Sequence, residues 1–495
     1  MKTGKYILEI AIFICGAIVM VFELVGSRIL GPHLGTSIFV WTSLIGIILG
    51  SLSLGYYLGG KFADKKTDTN TLSFIIFLSA IFIALTMVGK NYLLIFLQTY
   101  FSNIKITSIV ASLILFSPAS LLLGMVSPYA AKLKLSDLQT SGSTIGNLYA
   151  ISTAGSIFGT FLSGFYLIPN FGTDKMLIII SITLVLISVL LSAKKHPSLK
   201  ISVFLILIIS WFAIEKISQR MEKNGFIDVD TAYNRIWIFD LVDEKNQQPI
   251  RTFSINNENS SAMFLNKDDL VYEYTKYYHL ASHFHPNFNS ALMLGGAGYS
   301  FPKDYLLHYP DAKIDVVEID PKITQLAQKY FKLKENPRLT IFHEDGRVYL
   351  NQTNKKYDII FGDAFSSHYS LPYQLTTQEA IQRKYDILNE NGVVILNIIS
   401  AVNGDRGQFL RAEYLTYKNI FPQVYLFPVK EPTNGEKVQN IILVALKSND
   451  KPDFSSSNSE IDQLLKHLWQ NPIASDMSIL TDDYAPVDHY ISKTI

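Results

Sequence analysis

Four strand ends between residues 291 and 363 carry the residue types that could bind a small molecule and move a proton. The apolar run Ala291-Leu-Met-Leu294 leads into Gly295, Gly296 and Gly298. A second run ends in Glu318, and two more lead to Asp345 and Asp363. Glycines let a backbone approach a ligand closely, and an acid at the tip of the next strand can accept both hydroxyls of a ribose. An aspartate beside a cationic substrate attracts it and can take a proton from it. Each residue also has a local alternative. The glycines make a tight strand-to-helix turn, Glu318 and Asp345 cap the helices expected from Pro321 and Gly346, and Asp363 closes an Asx turn. Four such strand ends in register outweigh the four separate accounts.

The elements that must align these residues follow from periodicity. Strands are predicted at 291–294, 314–319, 339–342, 358–362 and 392–397, with helices near 301–309, 321–331, 345–351 and 376–389. This alternation describes a doubly wound α/β sheet, whose ligands lie beyond the carboxyl ends of the strands. Upstream, residues 226–265 alternate with period two and read as a small antiparallel sheet, followed by a helical stretch over 268–284. Residues 447–460 read as a solvated linker. Thr481-Asp-Asp-Tyr-Ala-Pro-Val-Asp488 reads as a loop folding back on the α/β domain, with Asp482 and Asp483 as caps or turn formers. His279, His283 and His285 read as helix-end and loop histidines, and no metal-ligand spacing is seen.

The first 217 residues are of another kind. The chain of 495 residues has only 17% charged residues and a mean hydropathy of +0.21, with the charge concentrated after residue 217. Apolar runs near 6–27, 38–60, 73–90, 106–128, 144–168, 174–193 and 199–217 each approach the roughly 20 residues that cross a bilayer. A shorter run, 92–101, is re-entrant, interfacial or an eighth span. With seven spans, Lys61, Lys65, Lys66, Lys132, Lys134, Lys194, Lys195 and Lys200 fall on the N-terminal side, and the positive-inside rule puts the C-terminal half outside. With eight it faces the cytoplasm. Eight is the expectation adopted, because the nucleoside inferred below is made and kept there. The first apolar run is too long for a cleavable signal. Glu9 is placed to snorkel, Glu23 and Arg28 are read as an ion-pair clamp near the headgroups, and the small residues Gly146, Ala150, Ser152, Ala154, Gly155, Ser156, Gly159 and Gly164 as a packing surface. Cys15 is the sole cysteine, so no intrachain disulfide forms. A net charge of +1 gives no reason to expect nucleic acid.

Taken together, residues 226–450 resemble the spermidine synthase (polyamine aminopropyltransferase) family, and more narrowly its branch fused to a multi-span membrane domain. The resemblance implies a Rossmann-like, class I adenosylmethionine-type domain preceded by a small antiparallel β subdomain. The organisation is then a multi-pass α-helical membrane domain over 1–220, the β subdomain with a connecting helix over 221–288, the nucleoside-binding catalytic domain over 289–450, and a linker and packing segment over 451–495. No tightly bound cofactor is implied, with decarboxylated S-adenosylmethionine, or S-adenosylmethionine itself, as co-substrate. The implied partners are a small-molecule amine, an adenosyl sulfonium nucleoside and the lipid bilayer; a homo-oligomer is left open.

Position by position, the resemblance implies that Glu318 holds the ribose and that Asp345, with Gly346 behind it, holds the adenine amino group. Asp363 is the general base. Asn234 falls where the family usually has a glutamine near the nucleoside, Pro372 lines the adenine site, and Tyr274 lies near a substrate-contacting tyrosine–histidine pair. Two departures stand out. The family's Gly-Gly-Gly-Asp-Gly is here Gly295-Gly296-Ala297-Gly298, without the acid, and its Asp-Ser-x-Asp is Asp363-Ala-Phe-Ser366, leaving Ser366 to meet the amine. The implied reaction is aminopropyl transfer to an amine such as putrescine, giving spermidine and methylthioadenosine. The alternatives are a lyase or methyltransferase using intact S-adenosylmethionine, and a non-catalytic nucleoside-binding sensor in the membrane.

Overall fold

The structure is a computed structural model that describes residues 6–101, 103–135, 141–243, 245, 247–364 and 371–493. The chain divides into two compact units, Met1–Asn224 with Val229–Ala232, and Gly225–Asp228 with Tyr233–Ile495.

The first unit is helical. Six helices are long and apolar enough to cross a membrane: Ile7–Leu34, Ile38–Lys65, Thr69–Tyr100, Ser141–Asn170, Thr173–Leu191 and Pro197–Lys223. Ile104–Leu115 and Ser117–Lys134, bent by 53°, make a seventh if they are one span. The run 92–101 is not a separate element, because its residues continue the helix Thr69–Tyr100. The eighth span expected from the sequence is therefore absent from the described residues. No proline separates the two apolar runs; Gly89 and Lys90 close the first, and Asn91 alone lies between them. Lys90 is buried and pairs with Asp174 at 2.8 Å, which removes an otherwise costly lone charge from an apolar environment.

Small residues account for part of the helix packing. A Cβ on Gly155 would overlap the Phe13 carbonyl, and one on Gly159 would overlap the backbone of Ala17. Ser156 donates to the Gly16 carbonyl at 3.2 Å. Gly146 and Gly164 meet nothing, so the packing stripe is shorter than the sequence pattern. The described partners of Arg28 are not Glu23. Its Nη2 donates to the Thr231 carbonyl at 2.6 Å and lies 3.4 Å from Asp230 Oδ1. Glu9 pairs with Lys134 instead of reaching for solvent.

The second unit begins with an antiparallel sheet in the order β1-β2-β3-β4, formed by β1 (Ile227–Asp230), β2 (Arg235–Val242), β3 (Pro249–Ile255) and β4 (Glu258–Phe264). Helical turns from Glu273 to Phe284, interrupted by a tighter turn at Tyr277–His279, replace the single longer helix expected over 268–284. A seven-stranded sheet follows, built from β5 (Ser290–Leu294), β6 (Lys313–Val317), β7 (Leu339–Phe342), β8 (Tyr357–Gly362), β9 (Leu388–Ser400), β10 (Gln423–Pro428) and β11 (Gln439–Leu446). Its order is β10-β11-β9-β8-β5-β6-β7. β5 through β9 pair in parallel, whereas β11 runs antiparallel to both β9 and β10. Every residue of β8 is buried, as expected for a parallel strand covered on both faces. The order reverses between β5 and β8. Crevices for ligands open at such a switch point, beyond the strand ends.

Candidate active site

The glycine turn and Asp363 leave neighbouring strands, β5 and β8, at that reversal. Gly295 adopts φ +95°, and a Cβ there would stand 2.6 Å from the Asp363 carbonyl. Both conditions exclude other residues. The turn is held by Glu318, just past the end of β6. Its Oε2 accepts from the amides of Gly296 at 2.9 Å and Ala297 at 3.3 Å, and its Oε1 accepts from Asp320 at 3.0 Å. Burial raises this carboxyl above its ordinary range, against the pull of those amides. Glu318 thus braces the glycine turn, and it does not cap the helix Pro321–Tyr330. That cap is Asp320, which accepts from Lys322.

Asp363 lies just past the end of β8 and is half-buried. Tyr274 donates its hydroxyl to Oδ2 at 3.1 Å, and Asn397 donates its amide to Oδ1 at 3.1 Å. Burial pushes the carboxyl up to about 6, partly offset by the hydrogen bonds from Asn397 and Tyr274. Loss of solvation disfavours the charged form, and donors restore part of it. Tyr274 itself is pushed well above the usual phenol range by burial and by the carboxylate beside it, so it remains a donor. Asn397 is oriented in turn by Asn440, which donates to its Oδ1 at 3.0 Å.

A cavity joins these groups. Tyr272, Tyr274, Gly295, Gly296, Ala297, Ser261 and Asp363 are among its walls, and Asp363 is the one charged residue among the described residues that line it. Gly298 does not enlarge it. A Cβ there would meet the Phe331 ring and the Ser261 hydroxyl at 2.8 Å, so Gly298 serves close packing.

Asp345 is an N-cap, its Oδ1 accepting from Arg347 at 2.8 Å and Val348 at 3.1 Å. Removing that cap in Asp345→Ala should lower stability by about 0.5–2 kcal/mol. Asp345→Ser keeps a capping oxygen but not the charge. If the acid also holds a nucleobase amine, Asp345→Ser keeps the melting temperature near wild type while weakening nucleoside binding severalfold in calorimetry. Gly346 follows at the first helical position. Arg347 forms a bidentate pair with Asp482 at 2.6 and 3.0 Å and donates to the Gln374 carbonyl at 2.8 Å. Asp482 also accepts from Thr377 at 2.7 Å. The segment around Thr481–Asp488 therefore does fold back, and it buckles the loop that carries Pro372. Pro372 lines a second, largely apolar cavity with Leu294, Leu375 and Ala364.

One expected residue is not brought to this centre. Asn234 lies between β1 and β2, its Oδ1 accepting from Asn256 at 2.7 Å, and it does not line the cavity around Asp363. Ser366 lies outside the described residues. Two others were missed. Asn397 interrupts an otherwise apolar strand, Val393-Val-Ile-Leu-Asn397-Ile-Ile, a signal that was available. Tyr278, also beside Asp363, had none.

Residues 273–453 match the family described as spermine/spermidine synthase domain. A polyamine aminopropyltransferase of Vibrio vulnificus (strain CMCP6) is 28% identical over 162 residues, which are 32% of this chain and 52% of that protein. A probable polyamine aminopropyl transferase of Bifidobacterium longum (strain NCC 2705) is 28% identical over 223 residues, 41% of this chain and 49% of that one. The chain thus spans about half the length of these curated relatives. The eEF1A lysine and N-terminal methyltransferase of Xenopus laevis is 31% identical over 174 residues, 33% of this chain and 23% of that protein. Among solved structures, a probable spermidine synthase from Corynebacterium glutamicum superposes with a TM-score of 0.42 at 20% identity, covering 50% of this chain and 94% of the other.

Proposed function

Since residues 273–453 carry a spermine/spermidine synthase domain, we propose that the protein is a membrane-anchored polyamine aminopropyltransferase using decarboxylated S-adenosylmethionine and an amine such as putrescine. The observation that carries this reading is the half-buried Asp363 carboxylate, oriented by Tyr274 and Asn397, at the strand end beside the glycine turn. The amine nitrogen attacks the propyl carbon next to the sulfonium. The new C–N bond forms as the C–S bond breaks, the electron pair stays on sulfur as methylthioadenosine, and the surplus ammonium proton passes to Asp363. The sulfonium is already an activated electrophile, so orientation contributes most, up to about 7–11 kcal/mol. Glu318 is assigned to the ribose and Asp345 to the adenine amino group, with Pro372 against the ring.

The charge of the cavity supports the decarboxylated donor. An intact α-carboxylate would face Asp363 with no basic side chain among the described lining residues, whereas two cationic substrates are attracted there. The test is product analysis on the purified full chain. Methylthioadenosine is expected only when the decarboxylated nucleoside and an amine are both supplied. Its release from intact S-adenosylmethionine alone would mean a lyase, and S-adenosylhomocysteine a methyltransferase. Binding without turnover would mean a sensor.

The helical unit is assigned to the cell membrane. Seven alternating spans keep Lys61, Lys65, Lys66, Lys132, Lys134, Lys194, Lys195 and Lys200 on one face. The positive-inside rule then places the chain after Lys223 on the non-cytoplasmic side, opposite to the side on which the proposed nucleoside is made, so the two arguments make opposite predictions for a C-terminal fusion. Alkaline phosphatase fused after Ile495 should be active and a fluorescent protein fused there dark. The reverse pattern would return the catalytic unit to the cytoplasm and exclude seven alternating spans with the N-terminus inside.

A further inference from the structure

His279, Asp304 and His308 are distant in sequence and unused by the reaction above, yet they converge. Asp304 and His308 lie four residues apart on the helix Ser300–His308, hence on one face of it. His279 reaches them from the tight turn Tyr277–His279. Asp304 Oδ2 lies 2.9 Å from His279 Nε2 and 3.3 Å from His308 Nδ1, and all three ligand atoms fall within 4.8 Å of one another.

Two details separate this cluster from an ordinary histidine–aspartate hydrogen bond. Asp304 is 4% exposed, and its Oδ2 accepts no hydrogen bond despite the two nitrogens beside it. The ring N–H directions miss the oxygen, leaving a buried acceptor unpaired at a cost of about 1–3 kcal/mol. His279 is also anchored from behind, its Nδ1 2.7 Å from the Tyr309 hydroxyl. That contact holds the ring through Nδ1 and leaves Nε2, 2.9 Å from Asp304 Oδ2, available as a ligand atom, as outer partners do for metal-bound imidazoles.

We propose that these three residues bind a divalent transition metal of the zinc class. Two imidazoles and one carboxylate suit zinc, nickel or copper, and do not suit magnesium or calcium, which take oxygen ligands. Tetrahedral bonds of about 2.0–2.1 Å separate neighbouring ligand atoms by roughly 3.3 Å, close to the spacings seen here. His308 is 57% exposed on its side chain. Its Nδ1 is shared with the Asp304 carbonyl at 3.0 Å, and its open side leaves room for the ring to turn and for water as a further ligand. The metal would fasten the turn bearing Tyr278, which flanks Asp363, to the helix that begins just after the glycine turn. The site is independent of the aminopropyl-transfer reading.

The test uses the tag-free full chain in detergent, stripped with a chelator and titrated with Zn2+ against a chromophoric competitor. Wild type should bind one equivalent more than His308→Ala or Asp304→Asn, or bind it at least about tenfold more tightly. Co2+ should give visible ligand-field bands in wild type alone. His308→Ala changes an exposed side chain, and its unchanged circular dichroism melt without metal certifies the fold. Zinc should raise the melting temperature of wild type but not of this variant. Equal zinc binding by wild type and both variants, or no binding by wild type, would overturn the site and leave a hydrogen-bonded His–Asp–His cluster.

Discussion

Asp363→Asn should reduce the rate of methylthioadenosine formation by about 10²–10⁴-fold, the usual range for losing a positioned general base, or about 3–5 kcal/mol in the barrier. The amide has the shape of the carboxyl and can still accept from Tyr274, so the fold and the affinity for the nucleoside should change little. The effect belongs in kcat. The pH profile provides a second reading of the same group. Burial raises the folded carboxyl to about 6, and only its deprotonated form is a base. The rate therefore rises with pH through about 6 and flattens above it, the limb being absent in the Asn variant. A wild-type rate flat between pH 5 and 7 would remove Asp363 from the proton transfer. A kcat unchanged by the substitution would do the same.

Glu318→Gln should act on binding and spare the chemical step. The carboxylate takes three backbone amides, which leaves about one acceptor site, on Oε1, for a ribose hydroxyl. Hydrogen bonds to a charged group contribute about 1.5–3 kcal/mol each. Replacing one oxygen with an amide nitrogen sets two donors against each other, either at Gly296 or at the ribose. The nucleoside should bind about 10- to 150-fold more weakly, measured by calorimetry with methylthioadenosine, while kcat at saturation stays within a fewfold of wild type. A lower melting temperature with unchanged nucleoside affinity would restrict Glu318 to bracing the glycine turn. Opposite signatures in kcat and affinity at Asp363 and Glu318 keep the two assignments separable.

Much of the site was legible because its signals are local. A glycine after an apolar strand, an acid where the next strand stops, and alternation between periods of two and 3.6 all lie within about ten residues of chain. Glu318 and Asp363 were located that way, and the structure sets Tyr274 against Asp363 as well. Local reading was ambiguous where a residue has two uses. Asp345 caps its helix whether or not it also meets a ligand, and sequence does not distinguish the two.

The sequence by itself determined the two-part character of the chain, the strand–helix alternation of a doubly wound sheet, and the acids at its strand ends. Backbone periodicity and apolar length set those features. Only the tertiary structure decided that Asn397 orients Asp363, that Asp482 pairs with Arg347 across 135 residues of chain, that β10 and β11 extend the sheet in antiparallel fashion, and that His279 meets Asp304 and His308. It also merged residues 73–90 and 92–101 into one helix, because Asn91, the single residue between them, imposes no backbone break. Such contacts arise when the sheet closes and the helices dock onto it. Side chains far apart in sequence are then brought together by burial of apolar surface, and no spacing along the chain records which of them will meet.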